Sequence, residues 1–404
     1  MKVSIFTATH DSKFLVELYD SIKDQPFYEW VVVYNHNAKV LEFNDERVKS
    51  IVLDYAPEYV GYLKSYACDK CTGDILLELD HDDLLLPDAI EEVVKAYEND
   101  EEVGFVYSNA VRSTLDFKKL DRFSDKFGWE YRTFNYKGNE LDEVISFEAD
   151  PNSVSRIWFA PDHLRSFRKD KYIEVGGYNK EMRILDDLDL MCRLYKITKF
   201  KHIDKPLYLY RVHGENSWIK YNKEIQDNVY NIYDKHIEEL ILTWCDREKL
   251  QKIELGAGIN GDERYTGLDL KGADVDCNLD EKWPLEDNSV GVIKAYDTIE
   301  HLKDPIHTMK EMYRVLAPGG YALLCVPSTD GRGAFQDPTH VSFWNENSFL
   351  YYTDSNWAKY IDSPVRFQAM RMYTTEKNAQ GVCWVVAHLV KLVDGKKYCG
   401  LKSI

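Results

Sequence analysis

An apolar run at residues 74–79 ends in Asp80-His81-Asp82-Asp83. Carboxylates just past a buried strand can hold a hard cation, Mg²⁺ or Mn²⁺, and such a cation bridges diphosphate oxygens. A solvated turn that opens the next helix at Pro87-Asp88 would use the same residues. Two further segments favour the metal reading. Asp186, Asp187 and Asp189 alternate with apolar positions at the start of a helical stretch, and His213 follows a strand that ends at Tyr210. Strand alternation turns His81, in the middle of the first motif, away from any ligand.

A second constellation lies in the other half. Residues 253–258 read Ile-Glu-Leu-Gly-Ala-Gly. Glycines let a ligand approach the backbone, and a helix after them adds N–H donors. The next apolar segment ends at Asp269, where a carboxylate can take both hydroxyls of a ribose. Glu254, Gly256, Gly258 and Asp269 therefore suit a nucleoside cofactor, with a dinucleotide still open. His340 follows the apolar run at 321–326. It is a candidate general base, because imidazole titrates near neutrality. Alternatively, Asp337 and His340 fix a lid loop, and His301 packs beside the cofactor.

These groups need strand ends to position them. Apolar runs and helical stretches alternate from Val3 to Val111, which predicts βαβ units and a mostly parallel sheet. Residues 112–160 read as an irregular, aromatic excursion over a binding face. A polar helical stretch over 222–250 follows, and then the alternation restarts at Lys252. The fold class is thus α/β in two domains: 1–235, a helical connector at 236–250, and 251–404.

Bulk properties exclude several classes. The net charge of −18 makes nucleic acid an unlikely partner. No stretch approaches the roughly 20 apolar residues of a membrane span. The start, Met-Lys-Val-Ser-Ile-Phe-Thr, lacks a signal peptide's apolar region. Scattered cysteines fit a reduced, cytoplasmic setting.

The first half resembles the GT-A fold of glycosyltransferase family 2. The matching positions are Thr9, Asp80-His81-Asp82-Asp83, Gly176-Gly177-Tyr178-Asn179, Asp186-Asp187-Leu188-Asp189-Leu190 and His213, and the resemblance covers about residues 1–220. It implies that Asp80 faces the nucleoside ribose and that Thr9, Asp11, Asn35 and Lys64 lie on the donor side. It further implies that Asp82 binds the metal with His213 as a second ligand, and that Asp187 is the general base. Many members carry an acidic pair after the second strand, where this chain reads Tyr34-Asn35-His36-Asn37. Lys64 stands where arginine is common. Trp158, Arg156 and Asp186 are acceptor-side candidates, although the aromatic residues equally suit the packing of a long loop.

The second half is similar to class I S-adenosylmethionine-dependent methyltransferases. The residues that carry this are Cys277-Asn278-Leu279-Asp280, Ile299-Glu300-His301-Leu302 and Arg314-Val315-Leu316-Ala317-Pro318-Gly319-Gly320. The resemblance implies that Glu254, Gly256 and Gly258 cradle the methionine part, that Asp269 holds the ribose and that Asn278-Leu279 line the adenine. The expected function is bifunctional. A metal-dependent inverting transfer from a nucleotide sugar to a glycan or glycoconjugate would be joined to methylation, on the oxygen of a sugar. The alternatives are action on modified nucleic-acid bases, or one half serving as a non-catalytic binding module.

Overall fold

The computed structural model describes residues 1–35, 38–53 and 59–393. His36 and Asn37 lie outside the described residues. The chain divides into two compact units, Met1–Leu240 and Ile241–Ile404.

The first unit is built on a ten-stranded sheet. In chain order its strands are β1 (Val3–Thr9), β2 (Glu29–Tyr34), β3 (Val48–Val52), β4 (Ile75–Glu78), β5 (Leu84–Leu85), β6 (Val103–Thr114), β7 (Tyr131–Tyr136), β8 (Asn139–Val144), β9 (Arg165–Arg168) and β10 (Lys199–Val212). The sheet order is β3-β2-β1-β4-β9-β6-β10-β5, with β8 also on β6 and β7 on β8. β3, β2, β1 and β4 are parallel, and β9 runs antiparallel to both neighbours. Alternate residues feed two cores. Ile5, Trp30, Val32 and Leu77 pack on one face, and Phe6, Val31, Val33 and Leu76 on the other. A sheet buried on both faces needs continuous apolar runs, which is why β2 reads Trp-Val-Val-Val-Tyr.

The excursion at 112–160 is more regular than its sequence predicts. β6 runs on to Thr114, and β7 and β8 form a hairpin on its flank. Lys137 and Gly138 join that hairpin with φ of 48° and 81°. Two successive positive φ values match the right-handed twist of the strands they connect.

The connecting stretch is one helix, Asn222–Glu248, and the division between units falls within it. It is less polar than its composition suggests. Tyr233, His236, Ile237, Leu240, Ile241 and Cys245 are all buried, at helical spacing. His236 Nε2 and Lys235 Nζ reach Asp189 Oδ1 at 3.1 and 2.9 Å, and Arg193 Nε reaches Asp189 Oδ2 at 2.8 Å. The third acid of the Asp186–Asp189 motif is therefore structural.

Asp189→Ala leaves these partners without their buried carboxylate and is expected to cost about 3 kcal/mol. Burial works against the Asp189 charge, but the bonds from His236, Lys235 and Arg193 outweigh it and hold its pKa below the usual carboxylate range. Its folded pKa is thus below the unfolded value of about 3.9. The stabilisation is full at neutral pH and is lost as pH falls below that value. Urea unfolding of wild type and variant at neutral and acid pH checks both points. An equal difference at both would mean that Asp189 stabilises by packing alone.

The second unit carries a seven-stranded sheet. Its strands are β11 (Gln251–Leu255), β12 (Thr266–Asp269), β13 (Val275–Asp276), β14 (Val290–Tyr296), β15 (Leu316–Pro327), β16 (Phe367–Thr374) and β17 (Trp384–Lys391). The order is β13-β12-β11-β14-β15-β17-β16. β13 to β15 in that order are parallel, and β17 is antiparallel to both neighbours.

One expectation fails here. No helix follows the glycine turn, and residues 256–265 cross from β11 to β12 through turns alone. Ion pairs pin this short crossover. Lys294 Nζ lies 2.9 Å from Asp262 and 3.8 Å from Glu254, and Arg264 lies 2.6 Å from Asp262. A parallel crossover normally needs a dozen or more residues to hold a helix.

Candidate functional site

In the first unit a cavity of about 930 Å³ opens where β1, β4 and β10 end. Its wall carries Thr9, Asp11, Asn35, Lys64, Asp80, Asp82, Asp186, Asp187, His213 and Trp158. Residues from distant parts of the sequence thus meet at one edge of the sheet. Arg156 does not reach the wall; its guanidinium lies over the Phe159 ring at 5.0 Å. Thr9 and Asp11 shape the first loop, since Thr9 Oγ1 donates to the Asp11 carbonyl at 2.7 Å. Asn35 takes its place through its amide, which donates to the Thr9 carbonyl at 2.8 Å.

Asp82 and His213 face each other, Oδ2 to Nε2, at 2.8 Å. Burial opposes the Asp82 charge, but the bond from His213 keeps its pKa below the ordinary value. The Asn216 side chain holds the His213 amide from behind. A carboxylate and an imidazole on one wall are a fitting donor pair for Mn²⁺. His81 corrects the alternation argument. β4 ends at Glu78 and the chain turns over 80–83, so His81 comes round onto the cavity wall beside His10, ring centroids 4.9 Å apart.

Asp80, Asp83 and His163 also bring one donor atom each within 4.8 Å of one another. Asp83, however, already accepts from the Tyr208 hydroxyl at 2.9 Å and the Arg211 amide at 2.7 Å. Its role is to fix the turn against β10.

Behind the wall lies a chain of charges. Lys64 Nζ lies 2.5 Å from Glu78 and 3.3 Å from Asp186. Arg165 lies 3.1 Å from Glu78 and 2.6 Å from Asp187. Two cations thus sit among three carboxylates. Burial works against the Asp187 charge, but Arg165 and Lys64 prevail and hold its pKa low. Burial pushes Asp186 up to about 6 despite Lys64. Burial, with the charges of Glu78 and Asp82 beside it, pushes Asp80 up to about 7. Asp187 therefore stays ionised at neutral pH, while its two neighbours titrate much closer to it.

Glu78 and Arg165 were not singled out in the sequence. Glu78 is the one charge in the apolar run Ile75-Leu76-Leu77-Glu78-Leu79, and that mismatch is a signal. Arg165 opens β9, Arg-Ser-Phe-Arg, where a second arginine removes any such contrast. The Gly-Gly-Tyr-Asn run serves the same group. Gly176 and Gly177 have φ of 82° and 68°, and the turn delivers the Tyr178 hydroxyl to Glu78 at 3.1 Å.

In the second unit the glycine turn and Asp269 meet directly. The Gly258 amide donates to Asp269 Oδ2 at 2.9 Å, and the Leu270 amide to Oδ1 at 2.6 Å. Gly256 has φ of 70°, and a Cβ there would run into the Thr298 side chain. Glu254 Oε2 accepts from the Asp262 amide at 2.6 Å. Asn278 reaches Glu281 at 3.2 Å, and Leu279 is buried in the core under the sheet. His340 lies on the loop after β15, its Nε2 3.9 Å from Glu300.

The folds define two α/β units on one chain. Comparison with known proteins gives the class of each. Residues 4–172 match the model of glycosyl transferase family 2, and residues 260–324 match that of a methyltransferase domain. The chain thus carries a family 2 glycosyltransferase domain of GT-A fold followed by a Rossmann-like methyltransferase domain.

It is 24% identical over 181 residues to a chondroitin synthase of Escherichia coli, covering 45% of this chain and 23% of that protein. It is 25% identical to a glucosyl-dolichyl phosphate glucuronosyltransferase of Haloferax volcanii, covering 57% and 79%. A Mycolicibacterium smegmatis protein described as a probable S-adenosylmethionine-dependent methyltransferase is 37% identical over 82 residues, covering 19% and 30%. The chain spans under a quarter of the length of the chondroitin and hyaluronan synthases that it matches, at 23% and 16%. Among solved structures, S. aureus TarS 1–349 in complex with UDP-GlcNAc aligns with a TM-score of 0.42 at 14% identity, over 61% of this chain and 73% of that one. No helix among the described residues is long and apolar enough to cross a membrane.

Proposed function

We propose that the first unit transfers a sugar from a nucleotide diphosphate donor to a carbohydrate hydroxyl with inversion, and that the second O-methylates a sugar with S-adenosylmethionine. The observation that carries this reading is the single cavity that gathers Asp82 and His213 with Asp186 and Asp187. Its volume suits a small-molecule site of nucleotide-sugar size. Relatives named as chondroitin synthases and as a glucuronosyltransferase support a sugar donor and a glycan acceptor.

In this reading Asp80 and Asn35 hold the nucleoside, with Thr9 and Asp11 shaping the loop beneath it. Asp82 and His213 would hold Mn²⁺ or Mg²⁺, which neutralises the departing diphosphate. Asp187 takes the proton from the acceptor hydroxyl as its oxygen bonds to the anomeric carbon and the bond to the diphosphate breaks. Arg165 keeps Asp187 ionised and aimed. Trp158 offers an aromatic face to the acceptor ring.

In the second unit the turn at Gly256 and Gly258 and the carboxylate of Asp269 fit an adenosyl cofactor, because a Cβ on Gly258 would stand in open space with only the Asp269 carboxylate beside it. Asp269 then takes the ribose hydroxyls, and those bonds are charge-assisted. Two such units on one chain suit consecutive steps on one product. The net charge of −18 supports a carbohydrate acceptor over a nucleic acid.

Asp269→Ala tests the cofactor. It is expected to weaken S-adenosylhomocysteine by about 1.5–3 kcal/mol, the range for hydrogen bonds to a charged group. Calorimetry on the full chain reads this. Tight NAD⁺ binding with none for S-adenosylhomocysteine would overturn the assignment.

A further inference from the structure

The segment after β14 and the loop after β15 build a group of side chains that neither proposed reaction uses in full. Glu300 is 2% exposed, and neither of its carboxylate oxygens has a hydrogen-bond partner. A buried carboxyl without a partner is unfavourable unless something else satisfies it. One ligand atom from each of Glu300, His301 and His340 lies within 4.8 Å of the others.

The two rings are oriented for ligation. His340 Nδ1 sits 3.1 Å from the Ala334 carbonyl, so that nitrogen carries the proton. His301 Nδ1 sits 3.2 Å from the Thr339 carbonyl and 3.1 Å from Thr339 Oγ1. The Thr339 hydroxyl spends its own proton on Asp337 at 2.6 Å, so His301 Nδ1 is also the donor. Each Nε2 keeps its lone pair. Anchoring one ring nitrogen on a carbonyl to free the other is how metal-binding imidazoles are held. The backbone fixes the third member, because the amides of Val341 and Ser342 both donate to the Glu300 carbonyl at 2.9 Å.

We propose that Glu300, His301 and His340 form a site for a divalent transition-metal ion of the Zn²⁺ type. Two imidazoles and a carboxylate are a borderline donor set that suits Zn²⁺ or Co²⁺, whereas Mg²⁺ and Ca²⁺ take oxygen. Three protein ligands leave a coordination position open, as catalytic sites do. His340 is then a metal ligand and not a free general base. The site lies close to the glycine turn, since Thr298, two residues before Glu300, is the side chain against Gly256. On the methyltransferase reading, the open position takes the hydroxyl to be methylated. The binding claim itself does not depend on that reading.

The test uses the full chain carrying Asp82→Ala, which removes the sugar-side metal pair, after dialysis against a chelator. Co²⁺ titration followed by visible absorption, and Zn²⁺ titration by calorimetry, are expected to show one ion per chain. Glu300→Gln and His301→Gln are each expected to weaken binding at least about tenfold. The His301 ring is exposed, so an unchanged circular dichroism spectrum in His301→Gln separates lost ligation from lost folding. In the otherwise wild-type chain the Zn²⁺ count should fall by one with the same substitution. The proposal is overturned if the Asp82→Ala chain takes up no Co²⁺, or if neither substitution weakens its uptake. S-adenosylhomocysteine binding on the same samples keeps the two claims apart. Retained cofactor binding without metal sinks only the metal site, and retained metal without cofactor binding sinks only the methyltransferase reading.

Discussion

Asp82→Ala is expected to lower Mn²⁺-dependent hydrolysis of the sugar-nucleotide donor by at least about a hundredfold, the scale for removing one group that stabilises developing charge. S-adenosylhomocysteine binding should persist in the same protein. The expectation rests on the 2.8 Å approach of Asp82 to His213 at the cavity wall. Asn216 holds the His213 backbone from behind, so the fold presents the pair to the cavity together. A hydrolysis assay with and without Mn²⁺ reads the effect. Full activity in the variant would move the metal to Asp80, Asp83 and His163.

The second large effect concerns the base. Asp187→Asn should reduce sugar transfer by about 10²–10⁴-fold, the usual contribution of a positioned proton acceptor. Donor affinity should change less than about twofold, because the base acts on the acceptor. The variant keeps the shape of the site. Asparagine still accepts from Arg165, and Arg165 retains Glu78 at 3.1 Å. Arg165 and Lys64 hold Asp187 below the usual carboxylate range against the opposing effect of burial. Its ionised form therefore persists well into acid, and it sets no acid limb near neutrality. A limb near pH 6 in the wild-type rate points to Asp186, which burial pushes up to about 6. Single-turnover transfer and donor titration on one preparation separate the roles. Equal losses of rate and donor affinity would make Asp187 a donor ligand.

Much of this was legible because buried parallel strands leave an unmistakable pattern. Trp-Val-Val-Val-Tyr and Ile-Leu-Leu-Glu can only be buried, and the acids beyond such runs fall at strand ends by construction. What periodicity could not show were departures from the regular element. The hairpin over 131–144 alternates weakly because one of its strands is largely exposed, and its signal was the Lys137-Gly138 turn. The glycine run at 256–258 matched its motif, yet too few residues follow it for a helix. Glu78 stands out locally, but its pairing with Arg165 does not, since the two are 87 positions apart and meet only when β9 inserts between β4 and β6.

The anchoring of the long helix on Asp189 bears on how this chain can change over generations. Asp189 and His236 stand 47 positions apart but are buried against each other. Losing Asp189 removes the shared acceptor of His236, Lys235 and Arg193, whereas losing His236 leaves Asp189 with two cations, so the two changes are unequal in cost. A relative that lacked the helix over 222–248 would keep only Arg193 as a partner for the third acid and could replace it at lower cost. The third acid is in that sense a marker of the helix, and its presence or absence in related chains reports on architecture and not on catalysis.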